Sequence, residues 1–387
     1  MRKTIFLFFI SVLFTGCVSQ ANKPVPQPET TILSVPEITV LFAGDAMQHF
    51  PQINSARTAD NGYDYKHCFQ YIEPYFREAD FVIANLETTL SDKNFSGYPR
   101  FVSPWQFARD MAYSGIDILV LANNHTCDNG AKGIRNTLFY LDSLQIAHIG
   151  IYLDSLQREK IFYIEKRPFK IALLNYTYGT NGIPIPKNTV VNLIDTALIA
   201  ADINKARQEK ATNIIAFLHW GEEYDIHGTA QQEELAEWLH DKGTDIVIGS
   251  HPHVIQKAEY TTKAGDTTGI TAYSLGNFIS NQSYRYTKGG ITLSLKLTRK
   301  SDTQYGYRYK YMNNFVYTPI ENGKKRYYIV PEPIGNAVIT ENSHSRTFRK
   351  FVQDNDAILQ CPETKETEIL FPDTLSYEPF PDRTFPI

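Results

Sequence analysis

Residues able to hold a metal ion stand at five separated places in this chain: Asp45, Asn85 with Glu87, Asn124 with His125, His219, and His251 with His253. Carboxylate, amide oxygen and imidazole together suit Mn, Fe or Zn. The sequence has no CxxC pair to suggest a thiolate zinc site. One or two divalent ions held this way do hydrolytic work. Two ions roughly 3.5–4 Å apart clamp a phosphoryl group and lower the pKa of a bridging water. A histidine left free of metal can protonate the leaving group. Taken singly, most of these residues also have a bland reading. Asp45 after Gly44 is commonly a turn residue, Asn85 and Glu87 can cap a helix, and Asn124-His125 can bond loop backbone. His219 can be a satisfied core histidine beside Trp220. The stretch Gly249-Ser250-His251-Pro252-His253 resists such a reading, because two histidines flanking a proline in extended geometry can both reach one metal centre.

The elements that must position these residues share one plan. Short apolar runs at Ile38–Ala43, Phe81–Ala84, Ile116–Leu121, Ile214–Leu218 and Asp245–Ile248 each end at one of the five clusters. Amphipathic helical spacing appears between them, at Ile134, Leu138 and Leu141, and at Ile199, Ile203 and Ala206. Thr229 and Gln232 form a capping box for a helix that Gly243 ends. Ser103-Pro104 reads as an N-cap followed by proline at the first helical position, with Phe107 and Met111 on one face and Gly115 as the stop. Buried strands alternating with helices indicate an α/β fold. In such sheets ligands bind beyond the carboxyl ends of the strands, so residues distant in sequence converge at one rim. After about Gly290 the pattern changes: Ile291–Leu297 alternates, and Tyr305–Tyr311, Phe315–Tyr317 and Arg326–Val330 are aromatic and β-branched. This predicts a β-rich C-terminal extension over 291–387, its last part, from Cys361, a proline-rich loop.

Composition narrows the partners. The 387 residues include 38 basic and 42 acidic side chains, a net charge of -4. That balance argues against nucleic acid as a partner, since phosphate neutralisation needs concentrated Lys and Arg. Only the N-terminus addresses a membrane. Arg2 and Lys3 precede the apolar run Ile5–Phe14, and Thr15-Gly16-Cys17 follows, a layout resembling a bacterial lipobox. This predicts a signal peptide over 1–16 and lipidation of Cys17, an ordinary signal peptide with an incidental cysteine being the alternative. A proline-rich tether over 17–36 follows. The domain is then expected outside the cytoplasm, lipid-anchored to a bacterial membrane and facing the periplasm. Cys68, Cys127 and Cys361 are an odd number, so at most one disulfide forms among them.

The motifs resemble a known family. Gly44-Asp45-Ala46-Met47, Asn85-Leu86-Glu87, Asn123-Asn124-His125 with Asp128, His219-Trp220-Gly221 with Glu223-Tyr224, Gly249 with His251-Pro252-His253, and Ser274-Leu275-Gly276-Asn277-Phe278 are similar to the CapA family. Its members are bacterial capsule-synthesis and poly-γ-glutamate biosynthesis proteins. The likeness runs from about Glu37 to about Ser280, within an expected domain of 37–290. It implies an α/β/β/α sandwich of the calcineurin-like metallophosphoesterase kind. It also implies roles: Asp45, Asn124, His219, His251 and His253 as metal ligands, Glu87 as the bridging carboxylate in preference to Asn85, and His125 as catalytic acid. Asn85, Glu223, Tyr224 and Asn277 become candidate substrate contacts, with Glu223 and Tyr224 read equally well as polar groups at a helix start. Where the phosphoesterase pattern has a histidine two residues after the first aspartate, this chain has Met47, with His49 two further on. Two functions fit: a metal-dependent hydrolase acting on a phosphoester or anionic polymer, or a non-catalytic, membrane-anchored subunit that binds polymer beside capsule-synthesis membrane proteins.

Overall fold

A computed structural model describes residues 35–263 and 265–360. The expected signal peptide, Cys17, nearly all of the tether, Cys361 and the tail lie outside them. Four strands come first: β1 (Glu37–Ala46), β2 (Phe81–Leu86), β3 (Ile118–Val120) and β4 (Ala147–Ile149). Six follow: β5 (Phe162–Lys166), β6 (Phe169–Thr177), β7 (Asn213–His219), β8 (Ile246–Ser250), β9 (Ala258–Lys263) and β10 (Asp266–Ala272). The chain then returns through β11 (Asn277–Ile279), β12 (Gly289–Arg299), β13 (Tyr305–Tyr317) and β14 (Tyr328–Pro331). The first and last groups make one eight-stranded sheet, ordered β14-β13-β12-β1-β2-β3-β4 with β11 also on β1. The middle group makes a six-stranded sheet, ordered β9-β10-β8-β7-β6-β5. The central strands β1 to β4 run parallel to one another, as do β6, β7, β8 and β10. β12, β13 and β14 add to the first sheet antiparallel.

Side-chain alternation fixes the layers. Along β1, Val40 and Phe42 join Ile83, Ile118 and Val120 in one core with Leu173, Ile215, Phe217 and Ile248 of the other sheet. Phe42 and Phe217 meet across it with centroids 6.4 Å apart. The intervening residues Leu41, Ala43, Val82 and Leu119 point the other way. They pack on Phe107 and Met111 of α1 (Gln106–Tyr113) and Ile134, Leu138 and Leu141 of α2 (Gly130–Ser143). On the second sheet, Ala172, Leu174, Ile214, Ala216 and Val247 face Ile199 and Ile203 of α3 (Thr196–Gln208) and Leu239 of α4 (Ala230–Asp241). The result is helix, sheet, sheet, helix: the α/β/β/α sandwich. Strands covered on both faces carry apolar residues at consecutive positions, which is why they read as continuous runs. Each fully buried Leu, Ile or Phe contributes about 1.5–3 kcal/mol.

One expectation changes. Ser103-Pro104 does not start a helix. Val102–Pro104 is a short strand paired in parallel with Thr89–Ser91, Ser103 Oγ bonds Thr88 Oγ1 (2.7 Å), and Trp105 is the N-cap. The tertiary pairing outweighs a local cap signal. The strands after Gly290 complete the first sheet. β12 pairs with β1 from Glu37 to Ala43, and the described residues belong to one compact unit. The aromatic run does form strands, and a last helix, α5 (Asn342–Leu359), packs Phe348 and Phe351 on Phe315 of β13.

Candidate metal centre

The carboxyl ends of β1, β2, β7 and β8, with the loop after β3, meet at one rim. Asp45 ends β1, and its register neighbours are Asn85 on one side and Asn277 on the other. Gly44 precedes it because a side chain there would lie 1.9 Å from the Gly276 carbonyl oxygen. All the expected metal ligands are buried: Asp45, Glu87, Asn124, His219, His251 and His253. His251 and His253 are not extended as expected. Both are held at positive φ, 104° and 59°, a conformation rarely adopted outside glycine. The turn separates their rings and aims them at different neighbours.

Two ligand groups result. Glu87, His219 and His251 form one, and Asp45, Glu87 and His253 the other, with the ligand atoms in each within 4.8 Å of one another. Glu87 belongs to both. Its Oε1 lies 3.7 Å from His219 Nε2 and 3.9 Å from His253 Nε2, too far for hydrogen bonds. His253 Nδ1 lies 3.2 Å from Asp45 Oδ2, and the His251 N–H donates to that oxygen at 3.2 Å. Asn124 Oδ1 stands 3.0 Å from His219 Nε2, beside the first group. Glu87 Oε1 and His251 Nδ1 are buried with no hydrogen-bond partner. Orphaned buried acceptors of this kind carry a desolvation cost that a cation would relieve, so the donor set fits one or two divalent ions.

The electrostatics agree. Burial, then the mutual charges of His251 and His253, push His219 well below its ordinary range. Burial first, then His253, push His251 down to about 3. Both imidazoles are therefore neutral at physiological pH, the form that ligates metal. The two carboxyls divide. Burial pushes Asp45 up, but hydrogen bonding and charge from His253, with bonds from Asn85 and the His251 N–H, outweigh it and hold Asp45 low. Burial, then the charge of Asp45, drive Glu87 well above the carboxylate range.

His125 stands apart from both groups. Its Nδ1 lies 2.7 Å from Asp128 Oδ2, and its ring meets Phe101 edge-on at 4.6 Å. A carboxylate only accepts, so Nδ1 carries the proton and Nε2 is left to exchange one. Asn123 locks this loop by donating to the Leu86 carbonyl (2.8 Å) and accepting from the His125 N–H (3.1 Å).

The four candidate substrate contacts separate. Asn85 and Asn277 are fully buried, paired to either side of Asp45. Asn85 Nδ2 donates to Asp45 Oδ1 (2.8 Å), while Asn277 Nδ2 donates to Gln282 Oε1 (2.8 Å) and the Thr287 carbonyl (3.1 Å). Asn85, which also lies 3.4 Å from Glu87 Oε2 and from His219 Nδ1, helps position the cluster. Glu223 and Tyr224 are exposed, and the Tyr224 ring lies 6.1 Å from His253, at the mouth. Met47 is buried, and His49 turns to Phe101 (5.1 Å) and Gln52 instead of the cluster. Sequence reasoning gave no role to Asp128 or to Tyr178, whose ring stacks near His219 (6.3 Å) and His251 (4.7 Å). Each had a signal: Asp128 is three residues after His125, and Tyr178 directly follows a strand end. A larger groove, about 1170 Å³, opens elsewhere, beside Glu37, Thr212 and Asp245 at the amino ends of β1, β7 and β8. Four of its charges pair with each other, as Arg207–Asp245 and Lys296–Glu37.

The family model for "Bacterial capsule synthesis protein PGA_cap" matches residues 39–282, well over half of the chain and every residue of the cluster. The chain belongs to the PGA_cap family. Among its relatives, the capsule biosynthesis protein CapA of Bacillus anthracis is 29% identical over 274 residues, 67% of this chain and 64% of that protein. The PGA biosynthesis protein CapA of Bacillus subtilis (strain 168) is 28% identical over 291 residues, 72% of each. The chain thus spans just under two thirds of the first of these PGA_cap relatives. Among solved structures, it is similar to the NAD nucleotidase of Haemophilus influenzae, with a TM-score of 0.46, 9% identity, and coverage of 84% of this chain and 61% of that one. It is also similar to a 5'-nucleotidase precursor from Thermus thermophilus, with a TM-score of 0.43, 10% identity, and coverage of 83% and 59%.

Proposed function

We propose that this PGA_cap protein is a lipid-anchored, extracytoplasmic, metal-dependent hydrolase of capsule or poly-γ-glutamate synthesis or export. Its substrate is an anionic polymer or a phosphoester. One observation carries the reading: Glu87, buried beside Asp45, is shared by two ligand groups and keeps an orphaned oxygen aimed into them. Buried carboxylates among neutral imidazoles are costly unless a cation compensates them. Asp45, Glu87, Asn124, His219, His251 and His253 would hold Mn, Fe or Zn. Such an ion, when bound, polarises a substrate oxygen and acidifies water. The chain's own groups do the rest. Asp128 fixes the His125 tautomer so that Nε2 can hand a proton to a leaving group. Tyr178 covers His219 and His251 and limits water. Tyr224, at the mouth, contacts substrate. The buried Met47 supports a second reading, a non-catalytic subunit that binds polymer and assembles with capsule-synthesis membrane proteins.

Elemental analysis of the full-length chain beside the His251→Ala, His253→Ala double variant tests the reading. We expect one or two equivalents of Mn, Fe or Zn, lost in the variant. His125→Ala should keep the metal and lose about 100-fold or more in turnover. A chain that takes up no metal even after reconstitution sinks the hydrolase. Turnover indifferent to His125→Ala removes that residue's role.

A further inference from the structure

The loop after β6 starts at the metal centre and turns back on it. The Tyr178 N–H donates to the His219 carbonyl (3.0 Å), which seats the loop at the end of β7. Thr180–Ile183 then close a β-turn, the Ile183 N–H donating to the Thr180 carbonyl (2.9 Å). Both central residues have positive φ, 52° at Asn181 and 71° at Gly182, the type I′ geometry that Asn-Gly favours. Thr180 Oγ1 donates to the Ile183 carbonyl (2.7 Å), and Ile183 and Ile185 pack on the core of the first sheet's helical side. The turn is therefore fixed by backbone bonds and apolar contact before its side chains are considered.

That turn presents Asn181 to the buried Asn124. Asn181 Oδ1 accepts from Asn124 Nδ2 (3.3 Å) and from the Tyr178 hydroxyl (3.3 Å). The other amide atom of Asn124, Oδ1, stands 3.0 Å from His219 Nε2. A carbonyl oxygen only accepts, so Asn181 Oδ1 takes the amino side of the Asn124 amide and leaves the oxygen toward His219. An amide turned over would set N–H donors there, where a cation needs an acceptor. The same Asn181 oxygen holds the Tyr178 ring, whose centroid lies 4.7 Å from that of His251 and 6.3 Å from that of His219. Neither bond involves Asp45 or His253 of the other ligand group. Only glycine, asparagine and aspartate adopt this backbone readily, and of these glycine brings no acceptor.

We infer that Asn181 is a positioning residue: it turns the Asn124 carbonyl oxygen toward the group of Glu87, His219 and His251, and it ties the Tyr178 ring over that group. The inference rests on the proposed metal centre. It assigns Asn181 to one of the two ligand groups and not to the other.

Calorimetric titration of the chelator-stripped full-length chain tests it, with manganese and zinc ions as separate probes. Asn181→Gly keeps the turn conformation and removes the acceptor. It should weaken binding of one equivalent of metal about tenfold or more. Asn181→Asp keeps both the backbone and an acceptor oxygen, and should bind at least as tightly as wild type. The visible spectrum of the cobalt-loaded chain, which reads the ligand atoms directly, should change in Asn181→Gly and match wild type in Asn181→Asp. The metal-free melting temperature of Asn181→Gly should stay within about 4 °C of wild type, which separates lost positioning from lost fold. Wild type that binds metal while Asn181→Gly binds it equally well would overturn the inference and leave the metal centre standing. A loss that Asn181→Asp does not restore would also overturn it, assigning the effect to the turn. Wild type that takes up no metal would overturn the metal centre and this inference together.

Discussion

Glu87 is where residue chemistry is most exposed to test. It is fully buried, lies within reach of His219 and His253, and is pushed well above the carboxylate range by burial and then by Asp45. The sign follows directly. A carboxyl raised in the folded chain holds its proton there after the unfolded chain has lost it, so its contribution to stability is lost as pH rises through the folded value. Metal uptake must displace that proton. His219, held well below its ordinary range, and His251, pushed down to about 3, are already neutral and add no further protons to release near neutrality. Metal binding to the intact chain should therefore release about one proton while Glu87 is protonated and tighten as pH rises through that range, by up to about tenfold per pH unit. Calorimetry in buffers of different ionisation enthalpy reads the proton. Glu87→Gln should abolish the release and weaken metal binding. An unchanged proton count in that variant would place the linked group elsewhere.

At the scale of elements, the strand ends are built by close backbone approach. A side chain at Gly249, the penultimate residue of β8, would lie 1.9 Å from the Tyr273 carbonyl oxygen and 2.4 Å from Trp220 Nε1. Those two atoms are hydrogen-bonded to each other at 2.9 Å, so neither can retreat cheaply. Gly249→Ala should then cost about 1–3 kcal/mol and displace the turn that carries His251 and His253. The expected result is a melting temperature lower by several degrees and metal affinity reduced tenfold or more. Thr229→Ala, at the N-cap of α4, is the control: it removes a capping bond of 3.2 Å to Gln232 and should cost about 1 kcal/mol with metal affinity unchanged. Equal effects of the two variants on metal would argue that Gly249 acts only through stability.

For the whole molecule, the order in which the chain visits its two sheets matters most. The first sheet is begun by β1–β4, left for the six strands of the second, and completed by β11–β14. β12 sits between β1 and β13, not at an edge, and pairs with β1 residue by residue from Glu37 to Ala43. β13 also ties to the second sheet, where the Tyr307 hydroxyl donates to Asp245 Oδ1 (3.0 Å). A chain stopped at Lys288 would expose the β1 edge and the inner faces that Leu293, Leu295 and Leu297 cover. It should show no cooperative thermal transition and should aggregate. A truncated chain that melts cooperatively near the wild-type temperature would show that the first 288 residues fold alone.

Much was legible in the residues because strands buried on both faces must be apolar throughout and because loops after parallel strands share a rim. Ile214–Leu218 followed by His219, and Asp245–Ile248 followed by Ser250-His251, announce both facts locally. So does the Thr229–Gln232 capping box, whose two bonds lie within one turn. What the sequence could not reveal depends on partners far along the chain. Ser103-Pro104 has every mark of a helix start, yet long-range pairing with Thr89–Ser91 makes it a strand. Nothing local to Asn85 or Asn277 announces that they pair to either side of Asp45 and are buried there. The run after Gly290 reads as β-rich, but only the tertiary pairing sets β12 against β1. The positive φ of His251 and His253, and with it the division of the ligands into two groups sharing Glu87, comes from a turn held against Asp45 more than 200 residues away. Local pattern determined which residues could ligate; only the packing of the two sheets decided which of them meet.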